Sequence, residues 1–195
     1  MPDASSYRPT SRDDWRAWLA EHHETAGGCW LEYAKKAAPR GVPRVGVDEA
    51  IEEALCFGWI DSKPRRVDEH FSSLYFAPRR AGSGWSALNK DRVARMIAAG
   101  RMTAAGQAKI DAAQTDGSWS LLDRVDALVV PDDLAAALAV HPPAADHFAA
   151  FPKSVRRGIL EWIVQAKRPA TRAKRIEETA TLAAQNRRAN QWPRQ

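Results

Sequence analysis

Cysteine is scarce in this chain, and that scarcity excludes two kinds of site. Cys29 and Cys56 are the only cysteines among 195 residues. Two thiols are too few for a disulfide framework, and neither stands at a metal-ligand spacing. The five histidines are scattered and form no zinc signature. The sequence therefore predicts two buried, reduced thiols and no metal site.

Long apolar runs and export signals are also missing. No apolar stretch approaches the roughly 18 residues that a membrane-spanning helix needs. The N-terminal MPDASSYRPTSRDD has no apolar core of the kind found in signal peptides. The turn Gly82-Ser83-Gly84 is not followed by the Gly-Lys-Ser/Thr of a phosphate-binding P-loop. We therefore expect a soluble, cytoplasmic protein with no membrane span and no cofactor.

The net charge of +5 is unevenly distributed along the chain. From Lys153 to the end there are 11 Lys+Arg against 3 Asp+Glu, a balance of +8, whereas the preceding residues hold 18 and 21, a balance of −3. Such an excess indicates either an anionic partner or a tail that only keeps the protein in solution. The sequence leaves both alternatives open.

Apolar periodicity changes along the chain from mixed to helical. One helix is predicted over about residues 12–25 and another from about Asp48, and between them CWLEYAKK alternates like a half-buried strand. WIDSK and FSSLYFA predict a hairpin beside that strand. Every periodic segment after Trp85 is helical. We therefore expect an α+β fold, with a small antiparallel sheet of about three strands packed with helices and followed by an all-helical C-terminal module.

The predicted domains follow this order of elements. Helices are expected near residues 86–99, 104–115, 132–140, 143–150, 154–166 and 170–185, punctuated by prolines. A shift to Ala-rich composition near residue 125 indicates a boundary. We expect a disordered stretch over residues 1–10, an α+β domain over 11–125, a helical module over 126–186 and a basic tail over 187–195.

A first set of candidate ligand-binding residues surrounds the glycine turn before the helix near residue 86. A helix N-terminus presents free backbone N–H groups, and arginines beside it can clamp a carboxylate or a phosphate. Hydroxyl and amide side chains on the turn add donors, and bulky aromatic side chains order a pocket. The set comprises Trp59, Asp61, Arg79, Arg80, Ser83, Trp85, Ser86 and Asn89.

These residues also have a purely structural interpretation. Ser86 would then be an ordinary N-cap, Trp85 a core anchor and Asn89 a partner of the local backbone. Asp61 follows two bulky apolar residues, so burial would raise its pKa and suit it to acid–base chemistry. Alternatively, Asp61 forms an ion pair with a nearby arginine. The ion pair is favoured, because structural pairs outnumber catalytic carboxylates.

The segment QAKRPATRAKRIEE carries a second set of candidates. Arg168, Arg172 and Arg175 recur at i, i+4 and i+7, so they share one helix face, where like charges repel and the first-turn charges oppose the helix dipole. Such a conflict between local rule and sequence is typical of a functional site, unless acids elsewhere in the fold pair with this face. Together with flanking residues, the set is Lys167, Arg168, Thr171, Arg172 and Arg175.

Three segments resemble the YdeI/OmpD-associated family, also called the bacteriocin-protection family. They read CFGWIDS, APRRAGSGWSALNKDRVARMIAAGRM and WIVQAKRPATRAKRIEE, and the resemblance extends over about residues 11–184. It implies a bacterial protein of α+β character with a helical C-terminal module, and it implies no established reaction or catalytic residues. The family's name points to porin association or to protection against antimicrobial peptides.

Three functions are compatible with these residues. The first is capture of an anionic small molecule or an acidic protein between the two basic sets, in a protective or stress-related role. The second is an enzyme that uses Asp61 as acid or base with Arg79 and Arg172 as clamps, although no nucleophile, metal site or cofactor motif is identifiable. The third is weak nucleic-acid binding through the basic tail, which is disfavoured because no reader motif accompanies it.

Overall fold

The computed structural model describes residues 5–39, 41 and 44–191, and the chain divides into two units. A four-stranded mixed sheet forms the centre of the first unit. This unit spans Met1–Ser83 and Leu88–Gly117. Its strands are β1 (Ser6–Tyr7), β2 (Cys29–Ala34), β3 (Trp59–Arg66) and β4 (Phe71–Pro78), in the order β1-β2-β4-β3. The helices that lie wholly or largely within it are α1 (Arg12–His22), α2 (Val47–Cys56), α3 (Ala87–Ala98) and α4 (Ala104–Asp116).

The sheet separates its side chains onto two faces, as the alternation in CWLEYAKK predicts. On the inner face, Leu31, Trp59 and Phe76 are at most 1% exposed, and Phe76 packs against Trp15 of α1 with ring centroids 5.5 Å apart. The neighbouring residues point the other way and are partly exposed; Trp30 is one of them. We call the surface formed by Trp30, Ile60, Tyr75 and Ala77 the outer face.

Both cysteines are buried, reduced thiols, which confirms the prediction. Cys29 lies in β2 and Cys56 ends α2, and neither has any exposed surface. Burial raises the pKa of Cys29 to about 12 and that of Cys56 to about 11.

The N-terminal stretch contains a strand that the sequence does not reveal. Ser6 and Tyr7 pair in parallel with Trp30 and Leu31, and the Tyr7 hydroxyl donates a hydrogen bond of 2.6 Å to Asp14. The sequence predicts residues 1–10 to be disordered. A strand of two residues is too short to show a periodicity from which it could be recognised. Residues 1–4 of that prediction lie outside the described residues.

A fully buried carboxylate joins three parts of the first unit. Glu53 of α2 accepts from Arg12 at 2.6 Å, from Arg16 at 2.6 Å and from Arg101 at 2.8 and 2.9 Å. Burial raises the pKa of Glu53, but the hydrogen bonds from Arg16 and Arg12 and the charge of Arg101 outweigh burial and hold it below its usual range. The cluster ties α1, α2 and the segment after α3 together.

The second unit comprises Gly84–Ala87 and Ser118–Gln195. Its regular elements among the described residues are helices: α5 (Asp123–Asp126), α6 (Asp132–Val140), α7 (Ala144–Ala150), α8 (Lys153–Val164) and α9 (Pro169–Ala184). Leu134, Phe148, Ile159, Ile163 and Ala180 form its apolar centre. The predicted α+β class and the helical C-terminal region are therefore confirmed. Within the described part of the chain, no helix has both the length and the apolar character to cross a membrane.

The division between the units differs from the predicted boundary near residue 125. It falls after Gly117, and the three residues before α3 belong to the second unit together with the first residue of α3. Trp85 packs on Trp119 with ring centroids 5.0 Å apart, and a Cβ on Gly84 would stand 2.7 Å from the side chain of Leu122. The composition shift marks where the Ala-rich helices begin, whereas these contacts determine where the packing divides.

The segment predicted as a basic tail is partly packed. Ala189 is 1% exposed and belongs to the apolar core of the second unit, and the Arg188 guanidinium lies 6.0 Å from the ring centroid of Phe151. Residues 192–195, which include Arg194, lie outside the described residues.

Candidate ligand-binding site

A β-bulge in β3 places two consecutive residues opposite a single residue of β4. Asp61 pairs with Phe76 and Pro64 with Leu74, so β3 carries one extra residue between these pairs. Pro64 is tolerated because β3 lies at the edge of the sheet, where its missing N–H is not needed by a further strand. Ser62 and Lys63 consequently both stand opposite Tyr75.

The bulge borders a cavity of about 420 Å³ in the first unit. This volume lies within the range of roughly 300–1,000 Å³ that small-molecule sites occupy. Five apolar or aromatic residues and four polar ones line it: Trp30, Ile60, Tyr75, Ala77 and Pro78, with Ser62, Lys63, Arg80 and Ser83. The cavity therefore combines an apolar wall on the outer face with polar groups from the bulge and from the turn after β4.

The aromatic wall depends on the glycine that directly precedes β2. The rings of Trp30 and Tyr75 lie 5.1 Å apart at an interplanar angle of 58°. The Tyr75 hydroxyl reaches over Gly28, where an added Cβ would stand 2.1 Å from the hydroxyl oxygen. Only glycine leaves room for Tyr75 in this position.

The turn after β4 is held by its own hydrogen bonds. The Ser83 hydroxyl donates to the Arg80 carbonyl at 2.7 Å, and the Gly82 N–H donates to the Asp116 carboxylate at 3.2 Å. Gly82 has a φ of +71°, which favours glycine. The turn therefore presents Arg80 and Ser83 to the cavity from a defined backbone.

The two cations of the cavity have no acidic partner among the described residues. Lys63 and Arg80 are exposed, and within the described residues neither side chain forms an ion pair or a hydrogen bond. Glu32, an acidic residue on the same side of β2 as Trp30, is itself bound by Arg8 at 2.7 and 2.9 Å. Positive charge is therefore available at the cavity.

Arg79 and Asp61 do not line this cavity. Arg79 is 5% exposed, and burial lowers its pKa to about 10 although the charge of Asp61 opposes that change. Asp61 shares the face of Phe76; burial raises its pKa, and the charges of Arg92 and Arg79 only partly offset this. The charges of Asp61, Arg79 and Arg92 therefore influence one another inside the first unit.

The remaining residues of the first predicted set are not among the residues that line this cavity. Trp59 is 1% exposed, and its indole N–H donates to the His23 carbonyl at 3.1 Å. Trp85 is also 1% exposed. The Asn89 amide oxygen accepts from Arg92 at 2.9 Å. Ser86 directly precedes α3 and is partly buried.

The second predicted set lies in and just before α9 of the second unit. Arg172 forms a two-pronged ion pair with Asp133 at 2.7 and 2.9 Å, and these hydrogen bonds lower the pKa of Asp133. Arg175 donates to the Trp162 carbonyl and lies 4.9 Å from the centre of the Trp162 ring. Arg172 therefore has an acidic partner within the fold, whereas Arg175 is bound by a carbonyl and an aromatic ring.

The side chains of three members of the second set have no bonding partner among the described residues. Lys167 and Arg168 are exposed and Thr171 is partly buried, and among the described residues their side chains form no hydrogen bond or ion pair. The first and second sets belong largely to different units. Their joint action on one ligand therefore stays a prediction.

Sequence reasoning named Arg80 and Ser83 and missed the other seven lining residues, among them Trp30, Ser62, Lys63 and Tyr75. Strand pairing brings Trp30 opposite Tyr75, and pairing partners are not visible in a single sequence. The available signal was the occurrence of aromatic residues at the solvent-facing positions of two predicted strands, where polar residues are usual.

Comparison with known families divides the chain in a similar way. Residues 7–109 match the family described as "Domain of unknown function (DUF8412)", and residues 127–186 match the family described as "Bacteriocin-protection, YdeI or OmpD-Associated". No curated protein and no solved structure gives a significant match.

The first unit, which contains the sheet and the cavity, thus coincides largely with the domain of unknown function. The second, helical unit contains the YdeI/OmpD-associated match. The chain belongs to the DUF8412 family, whose match covers more than half of it, and it carries a C-terminal YdeI/OmpD-associated domain. The predicted resemblance is confirmed for residues 127–186. The other two segments that carry the resemblance lie wholly within the DUF8412 match.

Proposed function

We propose that this protein binds an anionic small molecule with an apolar or aromatic body in the cavity on the outer face of the sheet. The observation that carries the proposal is the combination of an apolar wall with two cations that form no ion pair within the part of the chain that the structure describes. Small-molecule sites commonly have this composition, with a few polar groups that orient a largely buried ligand.

Each part of the cavity has a distinct role in this proposal. Trp30 and Tyr75 contact the body of the ligand, because aromatic rings contribute large apolar area and specific stacking geometry. Arg80 binds a carboxylate or phosphate with two parallel hydrogen bonds, and Lys63 adds a point charge. The Ser83 hydroxyl donates to the Arg80 carbonyl, so its oxygen can accept from an N–H or O–H on the body of a ligand that carries one.

The proposal keeps part of the predicted anion site and leaves part aside. Arg80 and Ser83 line the cavity, whereas Arg172 and Arg175 are engaged by Asp133 and Trp162. In the protective role that the C-terminal family's description names, binding would sequester such an anion. Asp61, the acid or base of the alternative enzyme, is not a lining residue.

Thermal unfolding with and without ligand tests the proposal. We expect benzoate, phenyl phosphate and dTMP to raise Tm, and inorganic phosphate to raise it less, because it lacks an apolar body. A ligand at about 100 times its Kd stabilises by about 2.7 kcal/mol, or roughly 5–10 °C for a chain of this size.

Matched substitutions locate the effect. Arg80→Ala and Lys63→Ala should each weaken binding about tenfold or more, because a hydrogen bond to a charged group contributes about 1.5–3 kcal/mol. Arg66→Ala removes the same charge from an exposed position of the same strand, but on the opposite face, and should leave binding unchanged. Equal shifts in all three variants, or no stabilisation by any probe at millimolar concentration, would contradict the proposal.

A further inference from the structure

We infer that the ligand of the cavity is one nucleotide of a single-stranded nucleic acid, and that the next nucleotide lies on the Trp30–Arg65 stack. This inference rests on the proposed function, because it assigns a chemical class to the ligand of the same cavity. It adds a second contact point outside the cavity, on the same face of the sheet.

The second contact point is an arginine whose guanidinium lies over an aromatic ring. The Arg65 guanidinium carbon is 4.2 Å from the ring centroid of Trp30. Its nitrogens donate to the hydroxyls of Ser73 and Ser6, each at 3.3 Å. Both acceptors are neutral, and no carboxylate among the described residues pairs with Arg65. The guanidinium is therefore held in place with its charge intact.

An aromatic ring and a guanidinium group thus lie next to each other on the outer face. Trp30 lines the cavity on one side and carries the Arg65 guanidinium on its ring. Unpaired bases stack on aromatic side chains and on guanidinium planes, and such stacking tolerates any base. One base in the cavity and its neighbour on Arg65 would use both surfaces.

The cations are spaced for a chain of anionic groups. Lys63 and Arg65 are two residues apart in β3, which corresponds to about 7 Å of strand. Arg80 adds a third charge from the turn after β4. Successive phosphates of an extended strand could contact Lys63 and Arg65 separately.

Protection of a sheet edge accounts for only part of this arrangement. A lysine, a proline and a bulge on an edge strand prevent pairing with other chains, and β3 has all three. Edge protection requires neither aromatic rings on the face nor an arginine stacked on one of them. An acidic peptide would match the charge but has no bases to stack, so the rings favour a nucleic acid.

Fluorescence anisotropy with a labelled dT8 oligonucleotide tests the inference on the full chain. We expect dT8 to bind at least tenfold more tightly than dTMP, with a slope of log K against log salt of about −2 for three neutralised phosphates. Arg65→Ala should weaken dT8 binding about tenfold and leave dTMP binding unchanged. Arg65→Lys should keep the salt slope without restoring the affinity.

The controls separate this inference from the proposed function. Arg66→Ala should change the affinity for dT8 less than twofold. If dTMP binds but dT8 binds no more tightly, the inference is overturned and the proposed function stands. If a poly-glutamate peptide competes as well as dT8, or a duplex of the same length binds equally, base stacking is excluded and the inference fails. Binding of dT8 without binding of dTMP, phenyl phosphate or benzoate would instead overturn the small-molecule function.

Discussion

Glu53 and Asp61 show how differently one fold treats two carboxylates. Glu53 is fully buried but contacts three arginines, and its pKa lies below the usual range despite burial. Asp61 is less buried, but Arg92 and Arg79 only partly offset its burial, so its pKa is raised. The number and proximity of the cationic partners, rather than depth alone, determine which charge state the folded protein favours.

Glu53→Gln should therefore be strongly destabilising. The substitution leaves three arginines around a neutral amide, and removing one partner of a buried charged cluster costs about 3–5 kcal/mol. Urea unfolding at pH 7 measures this loss. Glu161→Gln, which removes an i,i+4 surface pair with Arg157, is the matched control and should cost about 0.3–0.5 kcal/mol.

The effect of Glu53→Gln should depend on pH with a definite sign. Because the folded pKa lies below the unfolded value of 4.5, the stabilisation by ionised Glu53 is fully present above about pH 4.5 and is lost as the pH falls through the folded pKa. The difference in unfolding free energy between wild type and variant should narrow between pH 5 and pH 3. A constant difference over this range would contradict the assignment.

Among the structural elements, the pairing of β2 with β4 determines where the aromatic wall of the cavity forms. The antiparallel register puts Trp30 opposite Tyr75, and Tyr75 extends back over Gly28. The bulge in β3 supplies the other wall by adding one residue opposite the same tyrosine. A cavity thus forms on a sheet face without any helix being needed to shape it.

Gly28→Ala should displace the Tyr75 ring and weaken ligand binding. The added Cβ would stand 2.1 Å from the hydroxyl oxygen and 3.1 Å from the Phe76 carbonyl, and overpacking of this kind costs about 1–3 kcal/mol. Titration calorimetry with dTMP, together with Tm, checks both effects. Gly27→Ala has nothing within 4 Å of the new Cβ and should alter neither. Equal effects of the two substitutions would show that Tyr75 is not held by this contact.

For the whole molecule, the positions of helices could be predicted from the sequence more accurately than the contacts between segments far apart in the chain. The helices predicted at 132–140 and 104–115 correspond to α6 and α4 to within a residue, because a 3.6-residue period is a property of one segment. β1 and the placement of Trp85 in the second unit depend on partners far along the chain, Trp30 and Trp119. The same limit applies to the cavity, where the turn residues Arg80 and Ser83 were predictable and the paired residues Trp30 and Tyr75 were not.

Trp85→Ala should destabilise the second unit, although Trp85 lies between β4 and α3 in the sequence. Its side chain is 1% exposed and packs on Trp119, and truncating such a residue costs about 3–5 kcal/mol. Hydrogen exchange should show lost protection in α5 and α8. Leu88→Ala, three residues later and 58% exposed, should change stability by less than about 0.5 kcal/mol. Loss of protection confined to the sheet would argue against assigning Trp85 to the helical unit.

The burial of both cysteines makes the folded molecule inert toward reagents that attack sulfur. A thiolate is the reactive form, and pKa values of about 12 and 11 leave almost none of it at neutral pH, even apart from the lack of access. Alkylation at Cys29 or Cys56 would then have to await an opening of the structure around it. The rate of labelling at each position would consequently report how often that part of the first unit unfolds under native conditions.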